Sequence, residues 1–444
     1  MRRALQHPAR LLPIAFLLAI LISTFLLLLP EARAEPEDST SLVEALFTAT
    51  SAICVTGLIV VDTDHWSTFG HLVIIASVKA GGYGIMTAAT LLAMLVAGTL
   101  RLRVRMLAVS EGRSLDMSNV RGVLTRVALI QLGFELAIAL PLTLRWWLGY
   151  GMPFDQAAWY GIFHGISAFN SGGFSLYRDS MTGFVGDWWI STPIALGVIA
   201  GSLGFPVLIE LGRRLRGPRR WSIHSRLTLV GTGWLLVAGI GSLLIFEWTN
   251  PGTFGPLSVH DKLVAGFFNA AMPRSGGFSS VEFADMRPET ITITNILMFI
   301  GGGSASTAGG IKVATFLLLG YVIWAEIRGE PDITVAQRRV PVSVQRQALS
   351  VALLGVGLVA IGTLLVVTLS SGFRFEHVMF DVISAFGTVG LTTGVTSQAP
   401  LPAQLVLAAL MFIGRVGPVV VATALALNTR QRLYRYPEER PIVG

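Results

Sequence analysis

Apolar residues fall in long stretches at about 11–29, 70–98, 122–148, 190–212, 227–249, 291–325, 347–370 and 401–427. Each reaches the roughly 20 helical residues that a bilayer crossing needs, so the pattern predicts eight transmembrane helices. Within each successive pair of crossings lies a shorter amphipathic segment, at about 41–52, 155–168, 260–271 and 375–385. These segments are too short to cross, and each runs into a glycine-containing pattern. Non-helical backbone at membrane depth survives only inside protein or beside a water-filled cavity. The expectation is four re-entrant pore helices, and the order helix, pore helix, glycine pattern, helix then occurs four times.

The pattern aligns on a glycine followed by Leu or Phe. It reads Ser51-Ala52-Ile53-Cys54-Val55-Thr56-Gly57-Leu58, Ser167-Ala168-Phe169-Asn170-Ser171-Gly172-Gly173-Phe174, Ala271-Met272-Pro273-Arg274-Ser275-Gly276-Gly277-Phe278 and Ser384-Ala385-Phe386-Gly387-Thr388-Val389-Gly390-Leu391. Successive pattern glycines are 116, 104 and 113 residues apart, a repeat covering almost the whole chain. Rings of backbone carbonyls replace the water around a monovalent cation, and glycine accepts the positive φ that aims carbonyls at one axis. The candidate ion-binding residues are therefore Val55, Thr56 and Gly57; Ser171, Gly172 and Gly173; Ser275, Gly276 and Gly277; and Thr388, Val389 and Gly390. An isolated membrane glycine usually marks close helix packing, a reading that four at one register disfavours. Glu44, Asp155, Asp261 and Glu376 stand near the starts of the short segments. They suit ordinary helix caps, and equally suit helices whose partially negative C-termini face a cation.

The repeat divides the chain into units 1–100, 101–216, 217–330 and 331–427 with a basic tail, 428–444. In the third unit, Gly301-Gly302-Gly303-Ser304-Ala305-Ser306-Thr307-Ala308-Gly309-Gly310 interrupts the sixth apolar stretch. Glycines weaken a helix by roughly 1 kcal/mol each relative to alanine, so this crossing is expected to break below the glycine ring. A smooth helix with a glycine-rich packing face is the alternative. Gly81-Gly82-Tyr83-Gly84, Gly201-Ser202-Leu203-Gly204-Phe205-Pro206 and Gly414-Arg415-Val416-Gly417-Pro418 read as packing sites and Pro kinks. Lys79 lies within an apolar span and should face protein or water. Arg274 should point away from a cation path, toward pore-helix carbonyls or an acidic partner, or simply hold its loop in shape.

Composition agrees with a membrane protein: 52% hydrophobic and 13% charged residues, with a mean hydropathy of +0.66. Arginines crowd one side: Arg2, Arg3 and Arg10; Arg101, Arg103, Arg105, Arg113 and Arg121; Arg213, Arg214, Arg216, Arg219 and Arg220; Arg328, Arg338, Arg339 and Arg346; Arg430, Arg432 and Arg435. The other side carries few, such as Arg33, Arg145 and Lys262. The positive-inside rule then puts both termini in the cytoplasm. The same bias accounts for the net charge of +7, and no nucleic-acid partner is needed to explain it. The first stretch, with Ala32-Arg33-Ala34 after it, also fits a signal peptide, although it exceeds the usual apolar core of about 7–15 residues. One cysteine, Cys54, excludes an intrachain disulfide framework or a multi-cysteine metal site. No G-x-x-x-x-G-K-[ST] motif, triad or zinc spacing is present, so an enzyme is not expected and nucleotide control would need a partner.

Cys54-Val55-Thr56-Gly57-Leu58 with Val60-Val61-Asp62-Thr63, Pro273-Arg274-Ser275-Gly276-Gly277-Phe278 and Phe386-Gly387-Thr388-Val389-Gly390-Leu391 carry a resemblance. The chain resembles the ion-conducting subunits of the Trk/Ktr/HKT superfamily of potassium transporters, over nearly its full length. Only about 10 residues precede the first crossing, where Trk-type subunits commonly add two helices, so it looks like the Ktr type. Asn170-Ser171-Gly172-Gly173 departs from the family's Asn-Asn-Ala-Gly. The resemblance implies an all-α polytopic protein of four membrane-pore-membrane repeats around a pseudo-fourfold pore, a bacterial plasma (inner) membrane location and potassium uptake through a four-part filter. Glycine at position 57, where sodium-preferring plant relatives carry serine, favours K⁺, with Na⁺ a second candidate ion and no organic cofactor. It further implies that Gly301–Gly310 obstructs the pore, that Arg415 faces that loop, and that the chain works as a homodimer in membrane lipid. The implied partner is a KtrA-like cytosolic ring of Rossmann-type subunits binding ATP or ADP. A Na⁺- or H⁺-coupled solute transporter is the alternative, distinguishable because its broken helices come in symmetry-related pairs.

Overall fold

A computed structural model describes residues 8–35, 39–107, 120–214, 221–335 and 337–427. Arg2, Arg3, Arg113, Arg216, Arg219, Arg220 and the 428–444 tail lie outside the described residues. The first group is α1 (Pro8–Leu27), α2 (Leu42–Ile53) and α3 (Thr68–Leu107); the second is α4 (Val120–Leu144), α5 (Phe154–Phe169), α6 (Trp188–Leu203) and α7 (Phe205–Arg214). The third comprises α8 (Ile223–Glu247), α9 (Val259–Ala271), α10 (Pro288–Phe299) and α11 (Val313–Ile327). A hairpin of β1 (Thr334–Val335) and β2 (Arg338–Arg339) leads into α12 (Val342–Leu369), α13 (Phe375–Gly387), the single turn α14 (Val395–Gln398) and α15 (Leu401–Leu427). That hairpin, pairing Thr334 with Arg339, is an addition to an otherwise all-α fold.

Among the described residues, five segments are individually long and apolar enough to cross a membrane: Thr68–Ala89, Leu124–Gly149, Ile223–Glu247, Val342–Leu369 and Leu401–Pro418. The bent pair α6 and α7 would make a sixth, while Leu12–Leu27 and Val313–Ile327 are shorter apolar helices. The four pore helices α2, α5, α9 and α13 fall within two residues of the predicted bounds, because their starts carry local signals. Ser41 Oγ accepts from Glu44 N at 3.2 Å while Glu44 Oε2 accepts from Ser41 N at 2.7 Å, a capping box. Ser258 Oγ accepts from Asp261 N at 3.2 Å at the head of α9.

Two structural features correct the sequence reading. First, α3 continues to Leu107, past the expected end of the second stretch at about 98, so Arg101, Arg103 and Arg105 lie on the helix; Leu, Arg and Met at its end all favour helix. Second, the fourth crossing is not a mild Pro kink: α6 and α7 meet at 101°. Pro206 sits in the first turn of α7, where its missing N–H is tolerated. The bend is made by Gly204, at φ +90°, where a Cβ would meet the Ser304 carbonyl oxygen at 2.6 Å. The chain turns there to make room for the loop of the third unit.

Two large clusters make up most of the described core. One gathers Phe47, Ile53, Leu58 and Ile74 of the first unit with Val366, Val382, Leu407 and Met411 of the fourth. The other gathers Leu142, Phe169 and Val198 of the second with Leu243, Phe268 and Met298 of the third. Because α15 packs against α1 and α2, the last unit closes on the first and the four groups surround one axis.

Candidate functional site

The four pattern glycines meet on that axis. A Cβ built on Gly173 would stand 2.8 Å from Gly277 Cα and 3.3 Å from Gly57 Cα; one on Gly390 would stand 2.9 Å from Gly277 Cα and 3.2 Å from Gly57 Cα. Thus residues separated by over a hundred positions become neighbours in a ring too tight for any side chain. The backbone agrees: φ is +94° at Gly57, +70° at Gly173, +73° at Gly277 and +96° at Gly390, a region that glycine enters without steric cost.

A second left-handed position precedes each glycine by two residues, at Val55 (φ +55°), Ser171 (+62°), Ser275 (+69°) and Thr388 (+46°). None is glycine, and the sequence carries no signal for it. The αL conformation costs an L-residue roughly 1–2 kcal/mol, more for β-branched Val55 and Thr388. Such strain persists only where the surroundings hold it, and it clusters at functional sites.

What holds it is the pore-helix end. Thr56 N donates to Ser51 O at 2.8 Å, Gly172 N to Ser167 O at 2.6 Å, Gly276 N to Met272 O at 2.7 Å and Val389 N to Ser384 O at 2.8 Å. Gly57 N and Gly390 N donate to the hydroxyls of Ser51 and Ser384 at 3.0 and 3.1 Å, and Ser167 Oγ donates to Phe174 O at 2.9 Å. The amides thus face outward into protein. Among the described residues no donor reaches the carbonyls of Val55, Thr56, Gly57, Ser171, Gly172, Gly173, Ser275, Gly276, Gly277, Val389 or Gly390; only Thr388 O accepts, from Ser275 Oγ. The Thr56, Gly172 and Val389 carbonyls lie where Cβ atoms on neighbouring ring glycines would fall. Buried carbonyls without donors are costly unless something else coordinates them, and a cation on the axis would do so.

Sequence reasoning missed the clamps on the strands that leave the ring. Asp381 of α13 accepts from Thr392 Oγ1 at 2.7 Å, Thr393 N at 2.9 Å, Thr396 N at 2.8 Å and Thr396 Oγ1 at 2.6 Å. In α9, Asn269 Nδ2 donates to Ser280 Oγ at 2.8 Å and its Oδ1 accepts from Ser280 N at 3.2 Å. His164 of α5 is 3.2 Å from Ser175 Oγ and accepts from Leu176 N at 3.3 Å. The available signal was a polar side chain eight or nine residues before the pattern glycine, on an otherwise apolar pore-helix face. Asp381→Asn puts an amide N–H₂ among these donors and orphans at least one of them, a penalty of about 1–3 kcal/mol. A lower melting temperature in detergent is expected; an unchanged midpoint would show that the carboxylate does not hold the segment.

The stretch from Gly301 to Gly310 is non-helical and, apart from Ser304 and Ala305, buried directly beneath the ring. Its neck is closed by Gly301 N to Ile311 O at 2.8 Å and Val313 N to Gly302 O at 3.0 Å. The bend at Gly204 leaves the last carbonyls of α6 free, and the loop uses them: Gly303 N donates to Ser202 O at 2.7 Å and Thr307 N to Gly201 O at 3.2 Å. Upward, Thr307 Oγ1 is 2.8 Å from Ser171 Oγ and Gly309 N is 3.3 Å from Ser275 Oγ. A Cβ on Gly309 would strike Thr388 Oγ1 and the Gly387 carbonyl. Ser306 Oγ donates to Gly303 O at 2.6 Å, Lys312 Nζ to Ala308 O at 2.6 Å, and Arg415 Nη1 to the Thr307 carbonyl. The loop therefore crosses the axis in contact with three of the four patterns, and Arg415 of α15 faces it. Arg274 is buried within the third pattern, but its two terminal nitrogens have neither the carbonyl nor the carboxylate partner expected of them among the described residues.

The family described as TrkH, cation transport protein, matches residues 3–433. The Ktr system potassium uptake protein B of Bacillus subtilis (strain 168) is 37% identical over 438 residues, spanning 98% of this chain and 97% of that protein. The protein of the same description from Vibrio alginolyticus is 35% identical, spanning 98% and 94%. Among solved structures, the potassium transporter TrkH from Vibrio parahaemolyticus superposes with a TM-score of 0.68 at 20% identity, over 94% of this chain and 85% of that one, a likeness of fold.

Proposed function

This chain belongs to the TrkH family of cation transport proteins, and from that premise we propose that it is the ion-translocating subunit of a Ktr-type potassium uptake system. The observation that carries the reading is the ring of four left-handed glycines flanked by carbonyls of which, among the described residues, only that of Thr388 accepts a hydrogen bond. Such a ring replaces the hydration shell of K⁺. Val55 to Gly57, Ser171 to Gly173, Ser275 to Gly277 and Thr388 to Gly390 form the filter. The strip Gly301–Gly310, with Arg415 on its Thr307 carbonyl, is the gate. The four membrane-pore-membrane units are the filter's four quadrants.

The chain acts as a homodimer in the bacterial inner membrane, with both termini cytoplasmic and one pore per protomer. Its activity responds to Na⁺ and to a cytosolic Rossmann-type ring that binds ATP or ADP. The reading calls for no catalytic step and no organic cofactor. A Na⁺- or H⁺-coupled solute transporter is disfavoured, because the bend at Gly204 is filled by Ser304 and Ala305 of the glycine loop.

Expression in a bacterium lacking potassium uptake is expected to restore growth at low K⁺, and failure of a correctly inserted, dimeric protein to do so would overturn the reading. Isothermal titration of the purified chain is expected to detect no ATP or ADP binding until a Rossmann-type partner is copurified. Tight binding by the chain alone would remove the case for a separate sensor.

A further inference from the structure

The second filter segment has a lateral tether that, among the described residues, the other three lack. Asn170, wholly buried, immediately precedes left-handed Ser171. Its Nδ2 donates to Glu135 Oε1 at 2.9 Å and to Ile166 O at 2.9 Å, while its Oδ1 accepts from Gln131 Nε2. Glu135 Oε2 accepts from Lys79 Nζ at 2.7 Å. The partners arrive from different elements: Gln131 and Glu135 from α4, Lys79 from α3. Every donor on the Asn170 amide is used, and its oxygen is taken. On its far side Gly82 of α3 is so close that a Cβ there would strike Asn170 Oδ1. The residues at the same register in the other units are Cys54, Arg274 and Gly387. Cysteine and glycine cannot make such a tether, and the terminal nitrogens of Arg274 have no partner among the described residues.

Ser171 needs this support, because its φ of +62° is one that serine seldom adopts. A rigid Asn170 limits how far the Ser171, Gly172 and Gly173 carbonyls can rotate. Lys79 has a further use: Glu135 is 3% exposed, and a buried carboxylate left without its cation is strongly destabilising.

We infer that Gln131, Glu135 and Lys79 are positioning residues for ion discrimination: they clamp the Asn170 amide from the neighbouring spans and so hold the second filter segment in register. The inference rests on the reading of the glycine ring as a filter. It takes Lys79 and Glu135 as an ion pair serving the pore from outside it, with no contact to the ion.

Two paired variants test it in proteoliposomes, with K⁺ and Na⁺ fluxes measured separately. Lys79→Met with Glu135→Leu removes both the charge pair and the acceptor for Asn170. Lys79→Met with Glu135→Gln removes the charges but restores an amide oxygen for Asn170 Nδ2. The first is expected to lower the K⁺ over Na⁺ flux ratio by about tenfold, the order expected for one lost buried hydrogen bond; the second is expected to rescue most of that ratio. A first variant with the wild-type ratio overturns the inference, as does a rescue variant that loses as much. If the leucine variant does not assemble, Gln131→Leu, which removes only the donor to Asn170 Oδ1, carries the test with the same expected sign. Gly57→Ser, run in parallel, separates the two failures: an unchanged ratio there refutes the filter itself, whereas a lowered ratio there beside unaffected cluster variants refutes only the tether.

Discussion

Replacing Gly57 or Gly277 with serine is expected to lower the preference for K⁺ over Na⁺ by about tenfold or more, because two penalties act at the same atom. The left-handed backbone costs an L-residue roughly 1–2 kcal/mol. The added Cβ then meets backbone that cannot yield: at Gly57 the Gly172 carbonyl oxygen at 2.6 Å and Gly173 Cα at 2.9 Å, and at Gly277 the Gly173 Cα at 2.6 Å and the Val389 oxygen at 2.9 Å. Those neighbours belong to the ring itself, so relief at one quadrant displaces carbonyls of the next. Each 1.4 kcal/mol of differential coordination is about tenfold in selectivity. Competition of Na⁺ against K⁺ uptake measures it. Alanine should act almost as strongly as serine, since the backbone is at fault and the hydroxyl is incidental. Unchanged competition in both serine variants would remove the filter assignment.

Deleting Gly303 to Ala308 is expected to raise partner-free ion flux several-fold and to reduce the partner's further activation. The neck of the loop makes this deletion feasible: a Cβ on Gly302 would stand 2.7 Å from Ala308 Cβ, and one on Gly301 would strike the Gly309 carbonyl, so the two arms already touch. The excised residues carry the contacts that seat the loop: Thr307 to Ser171, to the Phe169 carbonyl at 3.3 Å and to Arg415, and Gly303 to Ser202. These are a handful of hydrogen bonds, each with a net contribution of about 1 kcal/mol. A blocked state held by so little can be reversed by a partner with a few kcal/mol of differential affinity. Arg415→Gln should shift flux in the same direction but less, since it removes one charged donor and leaves the loop in place. Because Ser171 and Ser275 keep their left-handed backbone through pore-helix bonds, K⁺ preference should persist in both. Proteoliposome flux decides the matter: a folded, dimeric deletion protein that conducts no faster than wild type would make the loop a packing element.

The sequence alone determined what depends on short-range periodicity and on the special chemistry of glycine. Runs of apolar residues marked the crossings, serines and acids marked the pore-helix starts, and glycine marked the four positive-φ positions, since all of these act within one or two helical turns. It also marked the break at 301–310, where helix propensity is locally absent. Only the tertiary structure decided the rest. The left-handed backbone at Val55, Ser171, Ser275 and Thr388 runs against the intrinsic preference of those residues, and is imposed by pore-helix amide bonds and packing. The 101° bend at Gly204 exists because a loop a hundred residues later occupies the space beside it. The partners of Asp381, Lys79 and Asn170 come from other segments and follow no fixed spacing. A side chain buried at membrane depth must find its hydrogen bonds wherever the packed neighbours offer them, and which neighbours those are is set by the closure of four units around one axis.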